Sequence, residues 1–214
     1  MIEEVGIDVV REALAQPRPG LRAQIGMSPR PRASVAINTP ARAGGVLLLL
    51  YPINGRLHLV LTRRAEHLSS HKGQISLPGG AQDPGESFEQ TALREVQEEL
   101  NVEPADIQVL GRLTPLYISP SNYCIRPVVG YTPVRPAFHP DSCEVAEVLE
   151  IPLAVLLDPS IVREEDWRLR GIQVQVPFFE VKGHKVWGAT AMVLAEFVEL
   201  MRSVMDLKRN PTPE

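Results

Sequence analysis

Residues 80–102 read GAQDPGESFEQTALREVQEELNV, from Gly80 to Val102, and the fold of the rest of the chain is organised around them. Asp83-Pro84-Gly85 predicts a turn, and Ser87 or Glu86 predicts the start of a helix running to about Leu100. Phe88, Ala92, Leu93, Val96 and Leu100 supply its apolar stripe. Beside that stripe, at about 100° per residue, Glu95, Glu98 and Glu99 share an arc of roughly 100°. Like charges so placed repel, so the pattern points to a cation between them. Hard divalent ions such as Mg²⁺ take oxygen ligands of this kind and arrive with substrate phosphates. Asn101 stands where a left-handed residue ends a helix, a conformation that Asn tolerates next best after Gly.

Upstream, Ala43 to Leu50 and Arg56 to Thr62 predict two strands joined by the Tyr51-Pro-Ile-Asn-Gly turn. Arg63 to Leu77 reads as a loop, closing on Leu77-Pro78-Gly79-Gly80, where glycines let backbone approach a ligand. Residues 3–15 have helical spacing, and the stretch from Gln16 to Pro40, dense in Pro, Arg and Gly, predicts an irregular segment lying on the core. Arg18, Arg22, Arg30 and Arg32 in it read as exposed arginines, with substrate phosphates as the alternative partner. Residues 1–40 are thus expected to be appended to a domain spanning 41–207, with 208–214 as a frayed tail.

Downstream, Ile107 to Thr114 and Tyr123 to Thr132 predict strands separated by the Pro/Ser loop Pro115 to Asn122, a loop placed to influence specificity. Asp141 to Leu157 predicts a short helix broken at Pro152, carrying Glu144 and Glu147 on its surface or toward the acidic cluster. Trp167 to Val181 and His184 to Trp187 predict strands around a Lys182-Gly183 turn, and Ala189 to Leu207 a final buried helix. Trp167, Trp187, Phe178 and Phe179 read as core or dimer contacts rather than base-stacking platforms.

The bulk properties bound the function. The 22 basic and 26 acidic residues give a net charge of −4, which offers no general footprint for nucleic acid. Two cysteines, Cys124 and Cys143, lie in no metal-binding spacing and point to a reduced, cytoplasmic setting. The N-terminus has acidic residues where a secretory signal has basic ones, and no apolar run reaches the roughly 18 residues of a membrane span.

The pattern Gly80-x5-Glu86-x7-Arg94-Glu95-Val96-x-Glu98-Glu99-x-Asn101-Val102 resembles the Nudix box, Gly-x5-Glu-x7-Arg-Glu-(apolar)-x-Glu-Glu-x-Gly-(apolar), departing only at the last glycine. The resemblance implies an α/β fold, the Nudix α/β/α sandwich around a mixed β-sheet, with the box as loop-helix-loop. Leu61-Thr62-x-Arg64-Ala65, Gly73 and Leu77-Pro78-Gly79-Gly80 further resemble the segment upstream of the box in the coenzyme A pyrophosphatase branch. Val60, Ser69 and Leu77 depart from it, and Ser69 replaces an arginine.

By that resemblance the chain is a metal-dependent hydrolase of the pyrophosphate bond of coenzyme A or its derivatives, releasing 3′,5′-ADP and 4′-phosphopantetheine. The metal ions implied are Mg²⁺ or Mn²⁺, held by Glu95, Glu99, Glu98 and the Gly80 carbonyl. Glu98, or a metal-bound hydroxide near it, is the implied base. Arg94 is assigned to a supporting salt link with Glu86. Arg64 is the foremost phosphate contact, with Arg63, His71, Lys72 and Gly79 as further substrate-binding candidates. The partner is a small nucleoside diphosphate, with no nucleic acid and no membrane, and a homodimer is allowed. Two alternatives are a Nudix hydrolase of ADP-ribose, dinucleotides or nucleoside triphosphates, and a nucleotide-sensing module without turnover.

Overall fold

A computed structural model describes residues 5–31, 39–68 and 71–209. Two helices, α1 (Ile7–Ala15) and α2 (Leu21–Ile25), precede a long strand β1 (Arg42–Ile53) and its hairpin partner β2 (Arg56–Arg64). Two short strands follow, β3 (Ile75–Ser76) and β4 (Gly79–Ala81), and then α3 (Phe88–Leu100). Next come β5 (Gln108–Arg112), β6 (Leu116–Ile118) and β7 (Tyr123–Tyr131), then β8 (Val145–Pro152) and a single turn α4 (Leu153–Leu156). The chain finishes with β9 (Val162–Leu169), β10 (Ile172–Val181), β11 (His184–Trp187) and α5 (Gly188–Arg209).

Strands β3, β2, β1, β7 and β5 form one sheet in that order, to which β4 adds on β1, β6 on β7 and β8 on β2. The β1–β7 pairing is parallel and the others are antiparallel, so the sheet is mixed. A second sheet has the order β11-β10-β9.

Strand β1 explains how the layers separate. Its run of leucines is buried on both sides, as expected for a strand covered on both faces. Leu47, Leu49 and Tyr51 join Ala92, Val96 and Leu100 of α3 in one core. Leu48 and Leu50 join Phe197, Leu200 and Met201 of α5 and Val10 of α1 in the other. This is a mixed α/β sandwich of the Nudix type. Gly45 lets α3 approach the sheet. A methyl group there would lie 2.5 Å from the Phe88 carbonyl oxygen and 3.0 Å from the Ala92 nitrogen. Helix backbone cannot yield as a side-chain tip does, so Gly45→Ala is expected to destabilise by about 2–3 kcal/mol, read from the urea midpoint. An unmoved midpoint would show that α3 is not seated tightly on β1.

The far side of the sheet holds a buried carboxylate. Glu196 on α5 is fully buried and accepts hydrogen bonds from Gln24 Nε2 (2.8 Å), Thr114 Oγ1 (2.6 Å) and the Thr114 amide (3.1 Å). One side chain thereby joins α5, α2 and the segment after β5.

Several expectations need correction. The stretch from Val145 to Pro152 is strand β8, not a helix. Val145, Val148, Leu149 and Ile151 fit either period, and pairing with β2 over His58–Arg64 decides for strand. Trp167 to Val181 is not one strand but parts of two, turned at Arg170 (φ 51) and Gly171 (φ 80). The loop from Arg63 to Leu77 contains the end of β2 and β3, and α2, β4 and β6 are additional elements. Helix α5 continues to Arg209. Arg32, Ser69 and residues 210–214 lie outside the described residues. Among the described residues, no helix is long and apolar enough to cross a membrane.

Candidate active site

Helix α3 begins and ends by local chemistry. Ser87 accepts from the Gln90 amide at 3.2 Å while the Gln90 side chain accepts from the Ser87 amide at 2.7 Å, a reciprocal capping box. At the other end Asn101 adopts φ 56, ψ 42, the left-handed conformation expected for it. Between these caps, Glu95, Glu98 and Glu99 project beside the β4 backbone, and their environments differ sharply.

Glu99 is 4% exposed, and its Oε2 meets no hydrogen-bond donor among the described residues. Burial pushes its carboxyl up to about 8, against a backbone hydrogen bond from Gly79, with the neighbouring Glu95 charge adding to the rise. Glu95 is also raised, chiefly by burial. A methyl on Gly80 would lie 2.5 Å from the Glu95 carboxyl, so only glycine leaves room for that carboxylate against β4. Glu98 is more exposed, with 59% of its side chain open.

Arg94 is the hub. Its Nε and Nη2 reach the two oxygens of Glu86 at 2.8 and 3.2 Å, Nη1 donates to Glu95 at 2.9 Å and to Glu98 at 2.8 Å, and Nη2 donates to the Ala81 carbonyl at 2.9 Å. The guanidinium holds the Glu86 carboxyl down to about 2, helped by the Thr91 hydroxyl at 2.8 Å. Glu86, Arg94, Glu95 and Glu98 therefore form one network across the turn and helix, and Glu99 stands outside it.

The upstream candidates divide. Arg64 lies close enough to Glu99 to lower its carboxyl, while the Arg64 Nε is buried without a hydrogen-bond partner among the described residues. Gly79 sits under Glu99. Arg63 is engaged elsewhere, by Glu147 at 2.9 Å and Glu66 at 3.3 Å. His71 and Lys72 are exposed in the turn before β3, where His71 Nδ1 pairs with Gln74 Oε1 at 2.8 Å. No hydrogen bond or ion pair ties either residue to the glutamates among the described residues.

Two groups arrive from elsewhere in the chain. The Glu144 charge acts on both Glu95 and Glu99. It is brought there by the bond from the Ala65 amide to its carbonyl (2.8 Å), where β8 joins β2. The segment before it is pinned to the end of α3 by the Asp141 and His139 amides, donating to the Glu99 and Leu100 carbonyls at 3.0 Å. Tyr123, at the start of β7, is raised by burial and feels the Glu95 charge, with Arg42 opposing. The sequence offers Glu144 as a residue facing the surface or the acidic cluster and gives no sign of Tyr123, which reaches the site through strand pairing.

The donor set fits a hard divalent cation. The buried Glu99 Oε2 has no donor among the described residues, the Glu95 carboxylate beside it has one oxygen on Arg94, and oxygen ligands of this kind suit such ions. No three acidic side chains converge as a finished cage among the described residues. Arg94 Nη1 meets one oxygen of Glu95 and one of Glu98, so Glu99 and the other oxygen of Glu95, with the β4 backbone, are the groups that would hold the ion.

The same chain matches the model of the NUDIX domain over residues 41–166. It is 40% identical over 142 residues to the uncharacterized Nudix hydrolase NudL of Photorhabdus laumondii, covering 66% of this chain and 75% of that protein. With NudL of Yersinia pestis it shares 39% identity over 142 residues, covering 66% and 71%. Among solved structures, a MutT/nudix family protein from Enterococcus faecalis superposes with a TM-score of 0.50 at 15% identity, covering 84% of this chain and 68% of that one. Sandwich, box helix and sequence agree, and the chain belongs to the Nudix family. Its general activity is that of a Nudix pyrophosphohydrolase on a nucleotide-type small molecule, in a family that uses divalent metals.

Proposed function

We propose that this protein hydrolyses the pyrophosphate bond of coenzyme A or its derivatives, with Mg²⁺ or Mn²⁺, to 3′,5′-ADP and 4′-phosphopantetheine. The observation that carries the reading is Arg64. The segment resembling the coenzyme A pyrophosphatase branch brings this arginine beside Glu99, with a buried Nε that no acceptor among the described residues satisfies. A guanidinium fork matches phosphate oxygens, and the Arg64 charge already acts on Glu99.

Glu95 and Glu99, with Glu98 and the Gly80 carbonyl as further ligands, would hold the metal. Bound there, it would neutralise phosphate charge and lower the pKa of water. The chain's own residues do the rest. Arg94 keeps Glu95 and Glu98 in fixed rotamers through the same guanidinium that grips Glu86. Arg64 orients a phosphate against Glu99, while Gly80 leaves the Glu95 carboxylate room against β4 and the Gly79 amide holds Glu99. Glu98, the most solvent-open of the three, is the candidate to take a proton from water.

The test uses the purified protein with Mg²⁺ or Mn²⁺ and, in parallel, coenzyme A, ADP-ribose, NADH and a nucleoside triphosphate, with products resolved by chromatography. Release of 3′,5′-ADP from coenzyme A, lost in Glu99→Gln, is expected. Faster turnover of another diphosphate would move the substrate within the family, and binding without turnover of any would make the chain a sensor.

A further inference from the structure

Strand β1 runs parallel to β7 with Arg42 opposite Tyr123 and Gly44 opposite Ile125, so the Tyr123 ring leans along the strand over Gly44. A methyl group on Gly44 would come within 2.5 Å of the Tyr123 hydroxyl oxygen and closer still to the Gly80 carbonyl oxygen. The phenol oxygen and the Gly80 carbonyl are therefore neighbours across a gap that exists because residue 44 has no side chain. The ring is held in that place. The Arg42 guanidinium lies over it at 5.3 Å from the centroid. The residue before it, Asn122, is left-handed (φ 50) and donates to Thr39 Oγ1 at 3.1 Å and the Pro40 carbonyl at 3.2 Å. The hydroxyl itself has no hydrogen-bond partner among the described residues.

Packing alone accounts for the ring on the glycine, as aromatic residues cover glycines in sheets. It does not account for a hydroxyl aimed at the carboxylate cluster. We propose that the Tyr123 hydroxyl is a substrate-binding donor that hydrogen-bonds the pyrophosphate beside the Gly80 carbonyl.

A neutral donor suits this position. A lysine or arginine in reach of Glu95 would be drawn into an ion pair, as Arg94 already is, and would be unavailable to the ligand. A phenol, with an ordinary pKa near 10, stays protonated at neutral pH. It brings a hydrogen bond without neutralising the carboxylates. The inference rests on the diphosphate reading of the site but not on which diphosphate is bound, since the contact is to the part all such ligands share.

Tyr123→Phe keeps the ring, the Gly44 contact and the Arg42 stack and removes only the hydroxyl. The experiment titrates coenzyme A and ADP-ribose calorimetrically into both proteins with Ca²⁺ in place of Mg²⁺, so that no turnover is needed, and follows the thermal midpoint and Mn²⁺ binding alongside. The substitution is expected to weaken by about tenfold or more whichever of the two ligands binds, as loss of a hydrogen bond to a charged acceptor does. Midpoint and Mn²⁺ affinity should be unchanged. Equal affinity in the two proteins overturns the assignment alone, as does a parallel loss of Mn²⁺ binding or of thermal stability. If neither ligand binds the unsubstituted protein, the diphosphate reading itself falls and takes this assignment with it.

Discussion

Glu99→Gln is expected to cut turnover by more than about a hundredfold, beyond the cost of losing an outer partner of a metal site, and at the same time to stabilise the metal-free protein in alkaline solution. Both effects follow from one buried carboxylate. With its carboxyl raised from an ordinary value of 4.5 to about 8, Glu99 holds a proton in the folded state that the unfolded chain has already released. The folded state is thus favoured fully below about pH 4.5, and that contribution drains away as pH rises through 8. In chelator, the urea midpoint of the parent protein should fall across this window. In Glu99→Gln the fall should shrink to the smaller, like-signed contribution of Glu95, a difference on the order of a few kcal/mol at pH 9. An unchanged slope in the variant would mean that Glu99 is not the desolvated group. Saturating Mg²⁺ should flatten the slope of the parent alone, because a cation replaces the proton.

Arg94→Ala is the second large effect, an expected fall in kcat of about a hundredfold with the fold retained and its stability lowered. The arginine serves Glu86, Glu95, Glu98 and the Ala81 carbonyl together, so its loss releases two of the three helix carboxylates and the turn that precedes them. Arg94→Lys should recover little, because one ammonium cannot fork to four acceptors. There is a matching acid signature. The Glu86 carboxyl is held down to about 2 by Arg94 first and Thr91 second, so its contribution is present above pH 4.5 and is lost as pH falls toward 2. In Arg94→Ala this added acid sensitivity should shrink to the part sustained by the Thr91 hydroxyl and the Asp83 amide. Steady-state kinetics and acid titration of both variants check the pair of expectations, and a lysine variant with full activity would reduce the hub to a simple counter-charge.

What was legible in the sequence was whatever local chemistry determines. The box helix, its Ser87 and Asn101 caps and the Asn54-Gly55 hairpin all follow from spacings of a few residues, and the Arg94 to Glu86 link from the family resemblance. Strand β8 was misread because its apolar residues satisfy both periods and the choice rests with β2, far away in the chain. The β9–β10 turn was missed because Arg170 occupies a position of positive φ where Asn or Asp would announce it. Of the site, the α3 carboxylates could be read directly. Glu144 was placed on a helix that does not exist, and Tyr123 carried no signal at all, because its meaning depends on a glycine in the neighbouring strand. Arg63 shows the reverse error: it lies next to Arg64 in the motif, yet Glu147 and Glu66 have claimed it.

Glu196 bears on how this chain can be divided. The recognisable family sequence ends at residue 166 and begins at 41, which suggests a module that could be cut free or grafted. Its carboxylate lies beyond one boundary and the Gln24 amide that caps it lies before the other, while Thr114, the residue they jointly grip, is inside. Removing residues 1–40 would strip the buried Glu196 side chain of a donor, and removing the trailing helix would bare the core beneath β1. The cooperative unit is therefore larger than the motif-bearing one, and a substitution in either flank acts on the other through Thr114.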